Sequence, residues 1–454
     1  MNTKEKELIK KYNVPGPRYT SYPTVPHWDS STFSNEKWNR LVEDQFKLPA
    51  QEISLYIHLP YCESLCTFCG CNTRITVNHT VEAPYIDTLL KEWQLYRAKM
   101  KFKPVIKEIH LGGGTPTFFS AQQLERLIKG ITAQAILAPH AELGFEGHPN
   151  NTTALHLETL YRLGFRRISL GIQDFDPHVQ QAINRIQSFE KVKEVTETAR
   201  AIGYTSVNFD VVYGLPLQTL NSIALTIEKV KALRPDRIAF YSYAHVPWIK
   251  PGQRKFTELD LPDDEVKWAL YEYGKEEFEQ AGYLEIGMDH FALKTDALHQ
   301  AFSNKTVHRN FMGYTATRTD ALIGLGVSSI GDLGKAYGQN VKTIEEYIDR
   351  IAKGELPVYR GHFLREEDQV MKQHILNVMC KFETSWNQSG ESCMSLFKSI
   401  YNMDSLEADG LIEIQYSLLK VTKAGKPFVR NVCMALDVYL QTQQNSSVQF
   451  SKVV

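Results

Sequence analysis

The sequence lacks an excess of charge of either sign. Lys and Arg number 51 and Asp and Glu number 52, which leaves a formal net charge of -1 over 454 residues. Proteins that bind nucleic acid through its phosphates usually carry a strongly basic surface. We therefore expect no nucleic-acid partner for this chain.

Long apolar stretches are also missing. No run of about 18 apolar residues occurs, as a membrane-spanning helix would require. The N-terminal MNTKEKELIKKYNVPGPRY has charges where a signal peptide needs an apolar core. We expect a cytoplasmic protein without membrane insertion. Its hydrophobic fraction of 43% is ordinary for a folded chain with one large domain and one or two smaller ones.

Cysteine is scarce, with seven in the chain, but four fall within ten residues: Cys62, Cys66, Cys69 and Cys71. Such tight spacings in a reducing compartment argue against disulfides. Three sulfurs on one short loop can converge on a metal centre instead, and the realistic occupants are an iron-sulfur cluster and zinc. A structural zinc site usually adds a second, separated pair of ligands, so the pattern favours the cluster.

From about residue 50 to about residue 330, short apolar runs alternate with longer helical patterns. Six runs are candidate strands, at 53–59, 106–113, 143–147, 167–173, 206–214 and 237–245. Each is almost continuously apolar, which is typical of parallel strands covered on both faces by helices. The pattern predicts an α/β fold, as a full or partly open (β/α) barrel or, alternatively, an open doubly wound sheet.

Polar and glycine residues stand where these strands end. In both candidate folds the reactive groups gather at the carboxyl ends of the strands. The cysteine loop follows the first strand and Gly112-Gly113-Gly114-Thr115 the second, and the later strands end near Glu146, Gln173, Asp210 and Ala244. The sequence therefore predicts that these residues share one site.

The spacing Cys62-x-x-x-Cys66-x-x-Cys69 is typical of radical S-adenosylmethionine enzymes. Three thiolates on a four-iron cluster leave one iron open to an outside ligand. Phe68 matches the aromatic residue that this superfamily carries before its last cysteine. The glycine run lets the backbone come close to a bound ligand, here the amino and carboxylate groups of the methionine moiety.

Several longer motifs occur in a fixed order. They are PGPRYTSYPT, YIHLPYCESLCTFCGCN, GGGTPT, GIQDF, NFDVVYGLP, YAHVP, GMDHFA and HRNF. In these motifs the chain resembles the oxygen-independent coproporphyrinogen III dehydrogenases, radical enzymes of heme biosynthesis. The resemblance runs from about residue 10 to about residue 350, and the N-terminal PGPRYTSYPT and the CGCN with Cys71 are its most specific parts.

The resemblance implies an architecture and a set of cofactors. It implies an N-terminal arm (1–50), a partial (β/α)6 barrel (51–355), a smaller, mainly helical C-terminal domain (356–454) and a monomer. A 4Fe-4S cluster would be held by Cys62, Cys66 and Cys69, with Cys71 as an accessory residue and not a ligand. Two S-adenosylmethionine molecules would bind, the first at Tyr56, Gly113, Glu146 and Ile330, and the second at Phe68, Gly114, Thr115, Gln173, Arg185, Asp210 and Ala244.

The implied reaction converts two propionates of coproporphyrinogen III to vinyl groups and gives protoporphyrinogen IX. It would need a protein electron donor of the flavodoxin or ferredoxin type. Because the substrate carries four carboxylates, its pocket should contain fixed cations and aromatic surface. The candidates are Arg18, Tyr22, Arg254, His308 and Arg309.

Two positions depart from the family pattern. Met312 stands where the family has glutamine, and a thioether cannot make the amide's hydrogen bonds to a second cofactor. The family's Glu-x-Asp-Pro is here Glu146-Gly147-His148-Pro149. His58 and His290 are expected to be packed, hydrogen-bonded histidines and not iron ligands.

Three other functions compete with this interpretation. A heme-binding chaperone on the same core would bind the cluster without forming vinyl groups. A radical enzyme acting on another tetrapyrrole would give a different product, and a zinc-binding interaction protein would hold no iron. The N-terminal arm and Cys71 favour the dehydrogenase over the chaperone.

Overall fold

Short apolar runs form the strands of one large sheet, and amphipathic segments form the helices that cover it. The computed structural model describes residues 3–442 and 450–453. Its helices are α1 (Thr3–Tyr12), α2 (Asn35–Gln45), α3 (Glu82–Lys99), α4 (Ala121–Thr132), α5 (Ala154–Arg162), α6 (Pro177–Ala182), α7 (Phe189–Ile202), α8 (Leu220–Leu233), α9 (Asp264–Gln280), α10 (Ala297–Ser303), α11 (Ile344–Ala352), α12 (Glu366–Lys381), α13 (Met394–Tyr401), α14 (Asp404–Ala408), α15 (Val429–Leu436) and α16 (Val438–Thr442).

The strands alternate with these helices over most of the chain. They are β1 (Glu52–Leu59), β2 (Tyr61–Cys62), β3 (Arg74–Ile75), β4 (Val105–Gly113), β5 (Ile136–Gly147), β6 (Arg167–Gln173), β7 (Ser206–Tyr213), β8 (Arg237–Ser242), β9 (Tyr283–Gly287), β10 (His290–Leu293), β11 (His308–Asn310), β12 (Gly313–Thr315), β13 (Ala321–Leu325), β14 (Ile330–Asp332), β15 (Ala336–Asn340), β16 (Val358–Phe363), β17 (Glu383–Ser385), β18 (Ile412–Gln415) and β19 (Leu418–Val421).

Twelve of the strands form the main sheet, in the order β16-β15-β14-β13-β1-β4-β5-β6-β7-β8-β10-β9. The seven from β13 to β8 are parallel, and the strands at both edges are antiparallel. From β1 to β8 the strands follow chain order without the reversal that defines a doubly wound sheet. The predicted α/β fold with a partly open barrel is therefore confirmed.

The six predicted strands are all present, as β1, β4, β5, β6, β7 and β8. Two features were missed. Strand β5 begins at Ile136, well before the predicted start at 143. A seventh parallel strand, β13, pairs with β1. It was missed because its five buried residues, ALIGL, form a short run that follows an irregular segment.

The predicted N-terminal arm is in part helical. Helices α1 and α2 flank residues 15–24, which contain no helix, as their proline content predicts. This extended stretch packs against α15, where the Arg430 guanidinium donates hydrogen bonds to the carbonyl oxygens of Gly16 and Pro17. The Tyr19 hydroxyl donates to Asp437 Oδ2 at 3.1 Å. The arm is thus held between the barrel and the C-terminal helices.

The C-terminal part contains helices α12 to α16 and a small sheet of β17, β19 and β18. Strands β18 and β19 form an antiparallel hairpin. Strand β16, however, pairs with β15 and belongs to the main sheet although it follows residue 355. We therefore propose that the C-terminal domain begins after Phe363. No helix of the described residues is long and apolar enough to cross a membrane.

Candidate active site

The cysteine loop, residues 62–71, begins in β2 just after the carboxyl end of β1. Thr67, which is 1% exposed, fixes the loop by donating from its backbone N to Ile183 O at 2.9 Å and from its hydroxyl to Ala182 O at 3.0 Å. Asn184 Nδ2 donates to Leu65 O at 2.8 Å. The end of α6 and the turn after it therefore hold the loop in place.

The three predicted cluster ligands lie in different surroundings. Cys62 Sγ is 3.3 Å from Thr115 Oγ1, and burial raises the pKa of the Cys62 thiol to about 11. Arg185 Nη1 donates to Cys66 Sγ at 3.6 Å. Hydrogen bonds from Cys71 lower the pKa of the Cys69 thiol, and the charges of Lys250 and Arg185 act in the same direction. These cations favour the thiolate of Cys69, the form that binds metal.

A cavity of about 370 Å³ opens beside this loop at the carboxyl ends of the parallel strands. It brings together twelve residues that the sequence analysis singled out: Cys62, Cys66, Phe68, Cys69, Cys71, Gly113, Gly114, Thr115, Glu146, Gln173, Arg185 and Asp210. We call it the cluster cavity. The rule that reactive groups gather at strand ends thus describes this cavity well.

Two glycines of the run after β4 occupy positions that do not favour a residue with a side chain. Gly113 has a φ of +117°, a backbone conformation that favours glycine. A Cβ atom on Gly114 would lie 2.6 Å from Pro60 O, closer than atoms can pack. The backbone of this run therefore lies directly against the β1–β2 connection, at the wall of the cluster cavity.

Beneath the cavity, inward-facing side chains form a polar layer that we call the upper layer: Tyr56, His58, His110, Glu146 and Asp210. His58 Nε2 lies 2.8 Å from Asn72 O, which can only accept, so this nitrogen carries the proton and Nδ1 accepts from the Tyr56 hydroxyl at 3.1 Å. The prediction that His58 is a packed, hydrogen-bonded histidine is confirmed. His290 is half-buried at the start of β10, where its Nε2 lies 3.5 Å from the Tyr241 hydroxyl.

The two carboxylates of the upper layer differ. Burial opposes ionisation of Glu146, but hydrogen bonds from His110 Nε2 at 3.2 Å and Gly113 N at 3.3 Å hold its pKa below the ordinary value. Burial and the charge of Glu146 raise the pKa of Asp210 to about 7, and Ser169 Oγ at 3.4 Å opposes this only weakly. Neither carboxylate forms an ion pair with Lys or Arg within the described residues.

One layer further down, the barrel is filled by a closed network that we call the lower layer: Glu108, Glu142, Arg167, Arg237 and Asp296. Arg167 Nε lies 2.9 Å from Glu142 Oε1, and Arg237 Nε lies 2.6 Å from Asp296 Oδ1. Ser54 Oγ and Thr315 Oγ1 donate to the two oxygens of Glu108 at 2.8 and 3.0 Å. Every acid of this layer therefore has a donor or a cation beside it.

Three of the predicted cofactor contacts do not line the cluster cavity. Tyr56 lies just below it, with its ring 3.0 Å from where a Cβ of Gly112 would stand. Ala244 follows β8, and its carbonyl accepts from Gln253 Nε2 at 3.2 Å. Ile330 begins β14, next to β13.

The five candidate substrate residues are dispersed. Tyr22, His308 and Arg309 line a second cavity of about 360 Å³, which lies near the start of β13 between the arm and α12. Arg18 lies 5.9 Å from the ring centre of Tyr241, a residue of the cluster cavity, and 3.7 Å from Asp289. Arg254 is exposed after β8 and lines neither cavity.

Sequence reasoning missed several residues of the cluster cavity, among them Ser169, Tyr241, Asn150 and Asn151. Ser169 could have been found, because it lies four residues before the expected Gln173 and residues an even number apart on one strand share a face. Tyr241 lies three residues before the expected Ala244, so strand alternation does not mark it. The two asparagines follow β5 in an irregular segment, where no periodicity marks them.

Comparison with known proteins shows to which family the chain belongs. The sequence model of the Radical SAM superfamily matches residues 56–230. An oxygen-independent coproporphyrinogen III oxidase of Pseudomonas aeruginosa is 36% identical, over 99% of this chain and 98% of its own length. Another, from Helicobacter pylori, is 39% identical over 97% and 98%.

The chain belongs to the oxygen-independent coproporphyrinogen III oxidases. A solved structure, described as coproporphyrinogen III oxidase from Escherichia coli and a radical SAM enzyme, superposes with a TM-score of 0.88 at 34% identity. The superposition covers 93% of this chain and 98% of that one. The resemblance seen in the motifs as far as about residue 350 therefore extends through the C-terminal part.

The residues of this family member fit a four-iron cluster. Three thiols on one braced loop face a cavity whose glycine wall and upper carboxylates leave room for an amino acid ligand. No three His, Cys, Asp or Glu side chains of the described chain are grouped closely enough to hold a single metal ion. A cluster does not need such convergence, because each thiolate binds a different iron.

The two departures from the family pattern lie in different places relative to the cluster cavity. Met312 lies in the turn between β11 and β12, with its backbone N donating to Asn310 Oδ1 at 2.8 Å, and it does not line the cluster cavity. His148 does line it. Burial and the charge of Arg185 lower the pKa of His148 to about 3, so this wall carries a neutral imidazole.

Proposed function

We propose that this protein removes two propionate carboxylates from coproporphyrinogen III without oxygen and gives protoporphyrinogen IX, as the names of its full-length relatives indicate. The observation that carries this proposal is the cluster cavity. It places the three loop cysteines beside the glycine run, Glu146 and Asp210 at the carboxyl ends of the barrel strands.

Held by Cys62, Cys66 and Cys69, a 4Fe-4S cluster would supply the electron for reductive cleavage of S-adenosylmethionine, which would be the source of the hydrogen-abstracting radical. A propionate then gives up a β-hydrogen atom, carbon dioxide and a second electron, and a vinyl group remains. The protein has to hold the reacting carbon next to the radical and keep water out. Two propionates react in turn, with an electron acceptor that takes the second electron each time.

We propose that Cys62, Cys66 and Cys69 hold the cluster. Glu146, ionised and 41% exposed in its side chain, suits the ammonium group of a first S-adenosylmethionine, and the Gly113 backbone lies next to it. Tyr56 and Ile330 complete this first set. A second molecule would contact Phe68, Gly114, Thr115, Gln173, Arg185, Asp210 and Ala244, although Ala244 lies outside the cavity wall.

Arg185 has a specific part in this arrangement. Its Nη2 donates to Gly171 O at 2.6 Å and its Nη1 to Cys66 Sγ, which leaves the buried Nε without a partner among the described residues. A buried donor without a partner is costly, so a ligand oxygen would stabilise it. A carboxylate of the second S-adenosylmethionine fits this position.

For the substrate we propose Arg18 and Arg309 as carboxylate-binding residues. Arg309 is 6% exposed, donates from Nη2 to Arg18 O at 3.2 Å, and has no hydrogen-bond partner for Nε and Nη1 within the described residues. Tyr22 and His308 line the second cavity next to it. Arg254 is less suited, because it is exposed to solvent and its Nε already donates to Pro247 O at 3.0 Å.

The remaining properties are also proposals. The reaction needs a one-electron donor, for which a flavodoxin or ferredoxin type of protein is suited. We propose that the protein acts as a monomer in the cytoplasm, on a tetrapyrrole and without nucleic acid. Its formal net charge of -1 agrees with the last point.

An anaerobic assay tests the function. Cluster-reconstituted protein is supplied with S-adenosylmethionine, dithionite, an electron acceptor and coproporphyrinogen III, and 5′-deoxyadenosine and vinyl-bearing porphyrinogen are followed together. Both should form in the wild type and in Cys393→Ala, a partly buried thiol far along the chain, and both should vanish in Cys66→Ala. Cleavage of S-adenosylmethionine with all four propionates intact would reject this substrate in favour of heme binding or another tetrapyrrole.

A further inference from the structure

The segment 246–255, which follows β8, lies directly on the cysteine loop. Lys250 Nζ donates to Cys71 O at 3.0 Å, and Gln253, which is 1% exposed, donates from Nε2 to Phe68 O at 3.0 Å. A Cβ on Gly252 would stand 3.4 Å from Leu65 Cδ2. This segment is therefore the outer cover of the loop that carries the three cluster cysteines.

The outward face of this cover is apolar at its centre. Trp248 and Ile249 are 49% and 60% exposed, and Leu65 of the underlying loop is 41% exposed. Single exposed apolar residues are common on protein surfaces, but a group of them that includes a tryptophan is typical of a binding surface. We call these three residues, with the cations described next, the cover patch.

The charges around these apolar residues have one predominant sign. Segment 246–255 contains Lys250, Arg254 and Lys255 and no acid, and loop 62–71 contains only Glu63. Lys342 adds a further exposed cation nearby, since its carbonyl accepts from Asn72 Nδ2 at 2.9 Å. The chain as a whole is nearly neutral, so this concentration of cations is local.

We propose that the cover patch is the docking surface for an acidic one-electron carrier protein that reduces the cluster. The inference rests on the proposed function, which requires an electron for each cleavage of S-adenosylmethionine. In this step the reduced carrier loses one electron and the oxidised cluster gains it, with no bond made or broken in this chain. Electron transfer becomes slower with distance, and the patch lies against the loop whose cysteines hold the cluster.

Charge complementarity defines the kind of partner. A carrier with a carboxylate-rich rim around its redox group would meet four cations and an exposed tryptophan, and opposite charges speed such encounters by about tenfold to a thousandfold at low salt. A carboxylate-bearing small molecule would not need Trp248 and Ile249, which are exposed and line neither cavity.

Two pairs of variants test the proposal. Lys255→Glu reverses a patch charge, and Lys398→Glu makes the same change on the exposed face of α13. Trp248→Ser removes the central apolar residue, and Phe397→Ser removes one of similar exposure, 48% against 49%, from α13. We expect reduced flavodoxin to reduce the cluster of each patch variant about tenfold more slowly at low salt, and the control variants at the wild-type rate.

Three readouts separate the outcomes. Affinity for flavodoxin, measured by titration calorimetry, should weaken about tenfold in the patch variants, while turnover with dithionite and the KM for coproporphyrinogen should not change. Equal losses with flavodoxin and dithionite would overturn the proposal, because the patch would then act on the chemistry. Unchanged affinity and reduction rate in both patch variants would overturn it as well. If wild-type protein with dithionite forms no vinyl product, the proposed function fails, while affinity and cluster reduction still judge the docking surface.

Discussion

The upper and lower layers of the barrel interior are both polar, yet they are built in opposite ways, because the lower layer is largely buried and the upper layer is partly exposed to the cluster cavity. In the lower layer Arg237 and Asp296 are 8% and 1% exposed in their side chains and meet at 2.6 Å. In the upper layer Glu146 and Asp210 face the cluster cavity with hydrogen bonds but without ion pairs to Lys or Arg in the described chain. Charges that are paired with one another serve the fold. An unpaired carboxylate can still bind a cationic or hydrogen-bonding group of a ligand.

The position of the two layers explains this difference. The lower layer is closed off by Ser54, Thr315 and the start of α10, so its groups must satisfy one another. The upper layer opens at the carboxyl ends of the strands, where the loops leave a cavity of about 370 Å³. We therefore expect substitutions in the lower layer to change the stability of the fold and substitutions in the upper layer to change the binding of S-adenosylmethionine.

The largest effect is expected in the lower layer, for Asp296→Asn. This change keeps the group that caps α10 but removes the charge beside Arg237, whose cation stays buried. Breaking a buried ion pair from one side should lower the free energy of unfolding by about 3 kcal/mol. Urea unfolding measures it, and Asp87→Asn, an exposed partner of Arg126, is the control. A loss below about 1 kcal/mol would show that the two layers do not differ in this way.

In the upper layer, Glu146→Gln should weaken binding of S-adenosylmethionine about tenfold to a hundredfold, because a charge-assisted hydrogen bond is lost. Stability should change little, since this side chain is 41% exposed. Titration calorimetry on anaerobic, reconstituted protein measures the affinity. Glu194→Gln, on the exposed face of α7, is the control. If Glu146→Gln instead lowered the stability of the protein and left the affinity of the folded molecules for the cofactor unchanged, the division between the two layers would be contradicted.

The contribution of Asp210 to the free energy of unfolding should depend on pH with a sign opposite to that of an ion-paired acid. Its pKa is raised from 3.8 to about 7, so the folded state binds more protons than the unfolded state between these values. Stability therefore falls as pH rises through this window. Relative to the wild type, Asp210→Asn should gain about 2 kcal/mol between about pH 4 and about pH 8, roughly half of what the full pKa shift would give, because water reaches this partly buried carboxyl. Urea unfolding at several pH values measures it, and a flat or falling difference would contradict the prediction.

The smallest effect is expected for Met312→Gln, which restores the residue typical of the family. Because Met312 lies in the β11–β12 turn outside the cluster cavity, the affinity for S-adenosylmethionine should change by less than about threefold. The same titration measures it. An affinity for S-adenosylmethionine that rises tenfold or more would show that the β11–β12 turn contributes to cofactor binding and belongs with the upper layer.

Much of the upper region could be predicted from the sequence because its signals are local. The cysteines lie within ten residues of one another, the glycine run follows a strand, and Glu146, Gln173 and Asp210 each stand at or near a strand end. For parallel strands, the carboxyl ends meet at one edge of the sheet whatever the helices do. Twelve predicted residues therefore line a single cavity.

The lower layer could not be predicted in the same way. Arg237 and Asp296 are 59 positions apart, and Ser54 and Glu108 are 54 apart, so nothing in the spacing pairs them. The same holds for the candidate substrate residues. Tyr22, His308 and Arg309 line the second cavity, Arg18 lies behind Tyr241, and Arg254 lies outside, although all five suit carboxylates or aromatic packing equally well as residue types.

By itself the sequence determined the cluster motif, the order of the βα units and the family, because each depends on residues that are neighbours along the chain or on period-2 apolar patterns. Only the tertiary structure decided which polar residues neutralise one another inside the barrel, that β13 and β16 extend the sheet, and that segment 246–255 covers the cysteine loop. Those contacts join distant parts of the chain, and their free energy comes from burial and charge pairing that exist only once the barrel has formed.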